Sequence, residues 1–531
     1  MSVGLNKNQE QILALKSVAI NGYDKVVSQF LELEKGYMAF LGDDVIKSLR
    51  RRGKSYTPTQ IIRTKVRKIE RDIMKTYFST DELGTVEING DEKLSVIMQK
   101  KLGEYASAKA SLYTIMRPLI RDALVYGTTV LKVYWSELKN KVVIQPRSLS
   151  EICIDPYARN HFDAKFMVDR FFMTIADVRT SFKKAKKMDL SNAISATSSN
   201  HIVNNQEQSL NEYQRIEVTE VYRLVDGKWF VSTIVGDEFL RTDVELKDGN
   251  PIMFGVIFPQ FVGLKEYQAV RSYGDSYIAP MIPLQTQYIV SRNQQFDAID
   301  LQLNPRFLAT RNSGLRDDDL GSNKKKIQVN SLDSIKELPA PNINQSIFDT
   351  NKLDEELQEV GGLPKFAQGI ATSSTPNSAT GASLLSENGN VTVDDIITSL
   401  NENLIQAFLT RVLRLTFKYE VSTDFAGYDR TKDVVKNVRI NAGIGAMTRS
   451  ERLNNLDNAI LSLSNTVKLF LDGGMQQKAM EYIVVLDELT KEKAKLLGVK
   501  NIEEKMKDAV NVLGQQPITA GAGATAGGVV G

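Results

Sequence analysis

YIAPMIPLQTQYIVSRNQQFDAIDLQLNPRFL, residues 277–308, decides how the chain is read. Pro280 and Pro283 suit the first turn of a helix, where an N–H has no partner to lose. Asn304-Pro305 ends it, because the residue before a proline is pushed out of helical geometry. Between these limits only Leu284, Ile289, Phe296, Ile299 and Leu303 form an apolar stripe. A helix lying alone on a core shows a wider one. Gln285, Gln287, Tyr288, Arg292, Asn293, Gln294, Gln295 and Asp297 fill the other faces. A helix polar nearly all round predicts identical neighbours on its flanks, hydrogen bonds between copies and water on one side.

The residues that follow extend this pattern to Glu420. Over 305–345 the sequence predicts short strands at Arg306–Thr310, Lys326–Val329 and Ser334–Leu338. Arg306, Arg311, Arg316, Lys324, Lys325, Lys326 and Lys336 face five acidic residues there, including the run Asp317 to Asp319. This is either a solvated loop, a surface on which copies interlock, or a contact for a partner or DNA. Ser346 to Val360 reads as a short acidic helix carrying Asp354, Glu355, Glu356 and Glu359, broken at Gly361-Gly362. Residues 362–380 have no periodicity. From Asp394 the residues Ile396, Ile397, Leu400, Leu404, Ile405, Phe408, Leu409, Val412, Leu413, Leu415 and Phe417 recur at helical spacing, after a weaker start from Gly381. Such an excursion, too thin in its middle for a core, is expected to be stable only when copies stand side by side around an axis.

The remainder frames it. Apolar spacing predicts helices over 5–78 and 93–127, with Pro118 inside the second block and Gly127 as its stop. Thr128–Trp135, Val142–Gln145 and Phe166–Met173 read as strands, with a turn at Pro146 and Thr174 as an N-cap. Residues 184–212 form a polar, Ser/Asn-rich insertion. From Ile216 the chain alternates with period two, and Asp226-Gly227 and Gly236-Asp237 mark hairpins. Pro251–Gln260 is expected to pack on that sheet. Asp424–Asn441 reads as one or two strands. Helices follow at Arg449–Leu471, capped by Thr448, at Gln476–Leu497 and at Ile502–Leu513, before a Gly/Ala-rich tail. The fold class is α+β, mostly α.

Composition excludes several classes. Of 531 residues 25% are charged, with a net charge of +3, so any basic surface must be local. From Lys47 to Lys75, eleven Lys/Arg stand against Glu70 and Asp72. That cluster is either a solvated helix face or a contact for nucleic acid or an acidic partner. The single Cys153 excludes a disulfide framework and reads as a buried thiol. His161 and His201 are the only histidines, read as structural, so no His-based metal site or Ser-His triad is expected. No Walker A loop, GxSxG elbow or HExxH helix occurs. No catalytic residue, metal site or cofactor is expected, and no stretch is long and apolar enough to span a membrane.

Four stretches carry a resemblance. RDALVYGTTVLKVYW (121–135), ICIDPYARNHFDAKFMVDRFFMT (152–174), the helix-bearing stretch quoted first, and GGLPKFAQGIATSSTPNSATGASLL (361–385) with its following helix occur in one order. This order resembles that of the portal, or head-to-tail connector, proteins of short-tailed double-stranded DNA bacteriophages. The resemblance implies a ring subunit with wing, stem, clip and a short helical crown. Its parts would be an N-terminal helical part of the wing (1–92), an α+β wing domain (93–275), stem helix 1 (276–304) and the clip (305–345). Stem helix 2 (346–361), a tunnel loop (362–380), a long wing helix with return strands (381–445), a helical crown (446–513) and a disordered tail (514–531) would follow.

The resemblance further implies a homo-oligomer, usually a dodecamer, at one capsid vertex of the virion, assembled in the host cytoplasm. Double-stranded DNA would pass its bore without sequence specificity. Terminase large subunit and then tail adaptor proteins would dock on the clip, and major capsid protein and scaffold would surround the ring. By position, Lys365, Gln368, Thr372, Ser373, Ser374, Thr375 and Asn377 would line the channel as tunnel loop. Arg306, Arg311, Arg316, Lys324, Lys325 and Lys326 would serve clip docking. Gln285, Arg292, Gln295, Asp354, Glu355 and Glu359 would belong to the stem. A passage for sliding DNA must not grip phosphates, and the assigned loop has one cation, Lys365. The alternatives are another phage assembly protein (a tail adaptor or scaffold-like protein), which would not need two helices around a clip, and a nucleic-acid-processing enzyme, which would need clustered carboxylates or histidines.

Overall fold

The computed structural model describes residues 6–78, 86, 88, 91–106, 112–137, 139–188, 212–236, 238–260, 272–303, 307–311, 330, 335–337, 350–362, 392–430 and 449–496. Contacts divide the chain into units 1–443 and 444–531. Helix and sheet are mixed, with helix predominant.

The first unit opens with α1 (Lys7–Asp24), α2 (Val27–Met38), α3 (Asp43–Arg51), α4 (Ile61–Tyr77), α5 (Glu92–Ala106) and α6 (Leu112–Tyr126). Pro118 lies within α6. Gly127 follows at φ +74°, and a Cβ there would lie 2.4 Å from the carbonyl oxygens of Gly274 and Asp275, so only glycine fits this corner. Strand β1 (Thr128–Ser136) pairs antiparallel with β2 (Lys141–Arg147). Pro146 is not a turn: it sits inside β2 opposite Leu131. β2 is an edge of its sheet, where a missing N–H costs no ladder bond.

A second sheet runs in the order β3 (Ile152–Ile154), β4 (Phe166–Thr174), β5 (Arg215–Val225), β6 (Lys228–Val235), β7 (Glu238–Glu245). Thr174 caps the short helix α7 (Ile175–Ser181) by accepting from the Asp177 amide at 3.1 Å. Asp226 and Gly227 both have positive φ, as the two-residue turn between β5 and β6 requires. The stretch after Pro251 does not join this sheet. It forms β8 (Ile252–Val256), which pairs with β1 in the first sheet, while Ile252 and Phe254 still pack on residues of the second.

A buried charge cluster joins the two sheets. Lys132 on β1 donates to Asp169 on β4 and Glu220 on β5, each at 2.7 Å. Arg147 also binds Asp169, Arg241 donates to Glu220 at 2.6 Å, and the Tyr222 hydroxyl donates to Glu220. Burial disfavours the charges of Lys132 and Glu220, but their partners win. The Glu220 carboxyl is held down at about 2 and the Lys132 ammonium well above its ordinary range. Cys153, fully buried on β3, is pushed up to about 12 by burial.

After the short pair β9 (Phe258–Pro259) and β10 (Gly274–Asp275) come α8 (Ile282–Leu303), β11 (Phe307–Ala309), β12 (Ile335–Glu337) and α9 (Asn351–Val360). Helix α10 covers 392–419 and contains a π-helical stretch, Asn401–Ile405. Asn401 accepts from the Tyr77 hydroxyl at 2.9 Å and Asn403 donates to the Val256 carbonyl at 3.0 Å. Ile396, Ile397, Leu400, Leu404, Phe408, Leu409, Val412, Leu413 and Phe417 are buried with α4, α6 and β1 in the largest core of the unit. Each such side chain contributes about 1.5–3 kcal/mol.

This corrects the expectation that the whole stretch to Glu420 depends on neighbouring copies: its last helix is the centre of the subunit's own core. Of the strands expected over Asp424–Asn441 only residues 424–430 are described; there Thr423–Phe425 is a 3-10 turn and 426–430 contain no strand. Residues 431–441, the Ser/Asn-rich segment beyond Met188 up to 211, the strand expected at Lys326–Val329, the weaker helical start expected from Gly381, Thr448, the helix expected at Ile502–Leu513 and the tail lie outside the described residues.

The second unit contains α11 (Arg449–Asp472) and α12 (Gln476–Leu496), joined at Gly473-Gly474, with Gly474 at φ +73°.

Candidate functional site

The excursion between Tyr277 and Gly361 leaves the core and returns to it at one point. The Tyr277 hydroxyl, buried, donates to the Gly361 carbonyl. Beside it the Ser276 hydroxyl donates to Val125 O at 2.5 Å and the Gly274 amide donates to the Thr128 hydroxyl at 2.7 Å. The root of α8 is therefore pinned both to the corner between α6 and β1 and to the end of α9. Burial pushes the Tyr277 phenol well above its ordinary value, so it remains a donor throughout the physiological range.

From that root α8 runs against α2 and the segment before α4. The helices approach so closely at Gly36 that a Cβ there would lie 2.4 Å from Ile282 Cδ1. Gln285, only 2% exposed, accepts from the Ile62 amide at 2.9 Å and donates to the Gly36 carbonyl at 2.8 Å. It thus serves the first turn of α4 and the last turn of α2, where backbone groups lack the regular four-residue partner of a helix interior. Two turns on, Asn293 accepts from the Thr57 amide at 2.8 Å and donates to Ile289 O at 2.8 Å. One turn further, Asp297 accepts from the Ser55 amide at 2.7 Å and faces Lys54 at 3.4 Å. Burial works against its charge, but the Ser55 amide and Lys54 outweigh it and hold its carboxyl below the ordinary value.

The polar residues of α8 were expected to bond between copies. Gln285, Asn293 and Asp297 instead bond within the chain, spaced eight and then four residues apart along one face. Polarity alone did not reveal the partner. Beyond them burial falls away: Ile299 is 50% and Leu303 75% exposed, and Phe296, with the Arg292 guanidinium 5.3 Å above its ring, is also exposed. At the far end β11 and β12 pair antiparallel, Leu308 opposite Lys336, with Leu308 exposed.

On the return, α9 buries Leu357 in the main core and exposes Glu355 and Glu359. Asp354 accepts from Gln358 at 2.8 Å. Lys65 on α4 faces Asp354 electrostatically; it is 5% exposed and its ammonium makes no hydrogen bond. Burial lowers it to about 8, against the opposing pull of Asp354.

Of the residues assigned to the stem, Gln285 is thus an internal anchor. Arg292 is exposed, Gln295 half-buried, and Asp354, Glu355 and Glu359 share α9. Arg311 is exposed in the turn two residues past the end of β11. Arg306, Arg316, Lys324, Lys325, Lys326 and the loop residues Lys365, Gln368, Thr372, Ser373, Ser374, Thr375 and Asn377 lie outside the described residues. Gly36 was missed by sequence reading, because nothing local marks a glycine required by a helix distant in sequence.

Among the described residues no group of three or more His, Cys, Asp or Glu could hold a metal ion, and no helix is long and apolar enough to cross a membrane. His161, its ring tilted by 40° against that of Phe162 with centroids 3.9 Å apart, is lowered to about 4 by burial. A family model described as "Phage SU10 portal protein" matches residues 136–520. No curated protein matches the chain.

Proposed function

We infer the working role of this chain from one premise: it belongs to the phage SU10 portal protein family, whose model covers well over half of it. It is a bacteriophage protein of the capsid vertex, concerned with genome packaging and structural in kind. Our reading beyond this is that copies close into a ring, of twelve by analogy with portals, around a bore for double-stranded DNA. Residues 276–304 and 346–361 form its stem and 305–345 its clip, where terminase and later tail adaptors dock. Residues 362–380 would be the tunnel loop. The wing, the crown at 446–513, and contact with capsid protein and scaffold complete the proposal.

One observation carries the ring reading. The excursion is clamped at its root by Tyr277 and Gly361, yet toward its tip Phe296, Ile299, Leu303 and Leu308 are uncovered on a thin helix and a two-stranded ribbon. A two-stranded hairpin is marginal alone. Apolar side chains on such an element are covered at least cost by a neighbouring copy. Negative-stain microscopy of the purified protein tests this. Rings with a central hole are expected. Monomers at every salt concentration and at protein concentrations up to the millimolar range would refute it.

A further inference from the structure

Two rows of cations lie side by side on the first unit, outside the excursion. On α4, Arg67, Arg71 and Lys75 are exposed at successive four-residue steps, with Lys68 beside them. On α6, Tyr113, Arg117 and Arg121 repeat the same spacing. Glu70 stitches the rows together. It is fully buried, takes a hydrogen bond from Arg117, and accepts from Arg121 through Nε at 2.8 Å and Nη2 at 3.0 Å. Burial would raise its carboxyl, but the two guanidinium groups hold it below the ordinary value. Both arginines still expose much of their side chains, 52% and 39%.

The patch therefore carries six cations against Glu70, which is consumed beneath the surface, and Asp72, which faces Arg71 at 3.6 Å. Among the described residues Arg67 and Lys75 have no carboxylate within ion-pair distance. Such like charge is unfavourable to assemble unless a polyanion neutralises it.

We propose that this α4–α6 face binds the phosphate backbone of duplex DNA, without reading sequence, at a place other than the bore. Three features favour a phosphate backbone over an acidic protein. Four of the six cations are arginines, whose planar fork suits phosphate oxygens. Among the described residues the patch lacks the apolar centre on which protein interfaces are built; Tyr113, half-exposed and edge-on to Phe78 at 5.3 Å, is its one large exposed aromatic side chain there. The α4 row spans about 12 Å at 1.5 Å per residue, a length over which a duplex presents about seven phosphates. Neither α4 nor α6 carries an Asn or Gln to read base edges, so affinity without specificity is expected. The inference goes beyond the ring reading and does not need it.

The test uses full-length protein and a covalently closed duplex circle, which cannot thread a preformed hole. Binding is followed by fluorescence anisotropy across a salt titration. Six phosphate contacts predict that affinity falls about a thousandfold between 50 and 200 mM salt. Arg67→Gln, Arg71→Gln and Lys75→Gln together leave three contacts, so the fall shrinks to about fortyfold and the log–log slope drops by about 2.7. These side chains are exposed, so circular dichroism should show unchanged folding; if it does not, the pair Arg67→Gln and Lys75→Gln replaces the triple variant. Equal slopes for variant and parent would overturn the proposal. So would binding of linear duplex but not of circles, which would assign all DNA contact to the bore. Displacement of DNA by poly-glutamate at equal charge concentration would also overturn it, in favour of an acidic protein partner. Microscopy of the same samples reports ring formation separately, so the two readings fail by different observations.

Discussion

Replacing Gln285 by leucine separates two accounts of the polar helix α8. The substitution keeps the side chain near its original size and removes both of its hydrogen bonds. The Ile62 amide, buried in the first turn of α4, would lose its acceptor at 2.9 Å. Leaving such a donor unsatisfied costs about 1–3 kcal/mol. The Gly36 carbonyl fares better, because the Ala39 amide also donates to it at 3.1 Å, so its loss is that of an ordinary net hydrogen bond, about 1 kcal/mol. The expected destabilisation is about 2–4 kcal/mol in the isolated subunit. Urea unfolding of dilute protein, followed by the fluorescence of Trp135, which packs on the main core, reads this directly. Amide exchange at Ile62 should quicken in step. If stability changes by less than about 0.5 kcal/mol, within the range of an ordinary surface substitution, and Ile62 exchanges as before, the internal anchor is wrong. Loss of rings with an intact monomer would then return Gln285 to the surface between copies.

Two further outcomes follow from the same packing. Lys132→Met leaves Asp169 and Glu220 buried with one cation fewer and should cost about 3–5 kcal/mol in urea unfolding. For the parent, Glu220 stands at about 2 when folded against an ordinary 4.5, so its stabilisation is complete above about 4.5 and is lost as pH falls from there toward 2; acid unfolding midpoints that ignore this window would count against the cluster. Gly36→Ala places a methyl 2.4 Å from Ile282 Cδ1 and 2.5 Å from its Cγ1 and should cost about 1–3 kcal/mol by overpacking, whereas Ile282→Ala in the same background, which removes both atoms, should recover part of it.

The sequence was most informative where a residue's role is set by its near neighbours. Asp226-Gly227 marked a hairpin because that turn needs two positive φ angles, and Thr174 marked a cap because its hydroxyl serves an amide three residues on. The helix bearing Gln285 and the short strands at Phe307–Ala309 and Ile335–Glu337 were legible for the same reason: proline, periodicity and β-branching act locally. What escaped was set by residues far away in the chain. Pro146 looks like a turn until β1 is known to have it on an outer edge. Pro251–Gln260 has the composition to cover either sheet, and only the register with Thr128–Lys132 chooses. The apolar run from Ile396 to Phe417 reads the same whether it faces its own subunit or a neighbour. The polar face of α8 was the sharpest case, since an amide side chain announces that it needs partners and says nothing of which chain supplies them.

The placement of those partners bears on why α8 is polar where it is anchored. Apolar contacts tolerate small slips, because burial depends on area rather than direction. Hydrogen bonds to backbone amides do not, because they weaken steeply with misalignment. Gln285, Asn293 and Asp297 each hold a backbone N–H of the segment from Ser55 to Ile62, so they fix both the rotation of α8 and its tilt. Each bond adds only about 1 kcal/mol net, little against the apolar core beneath, so stability does not explain three of them in a row. Geometry does. In a closed ring every subunit repeats the same interface, and an angular error in one stave recurs in all of them. A helix set by directional bonds at its base and left bare at its tip has the properties such closure would demand: a fixed angle where it leaves the body, and exposed apolar surface that a neighbour could cover. A subunit carrying both Gln285→Leu and Asp297→Ala should therefore lose ring uniformity before it loses its fold.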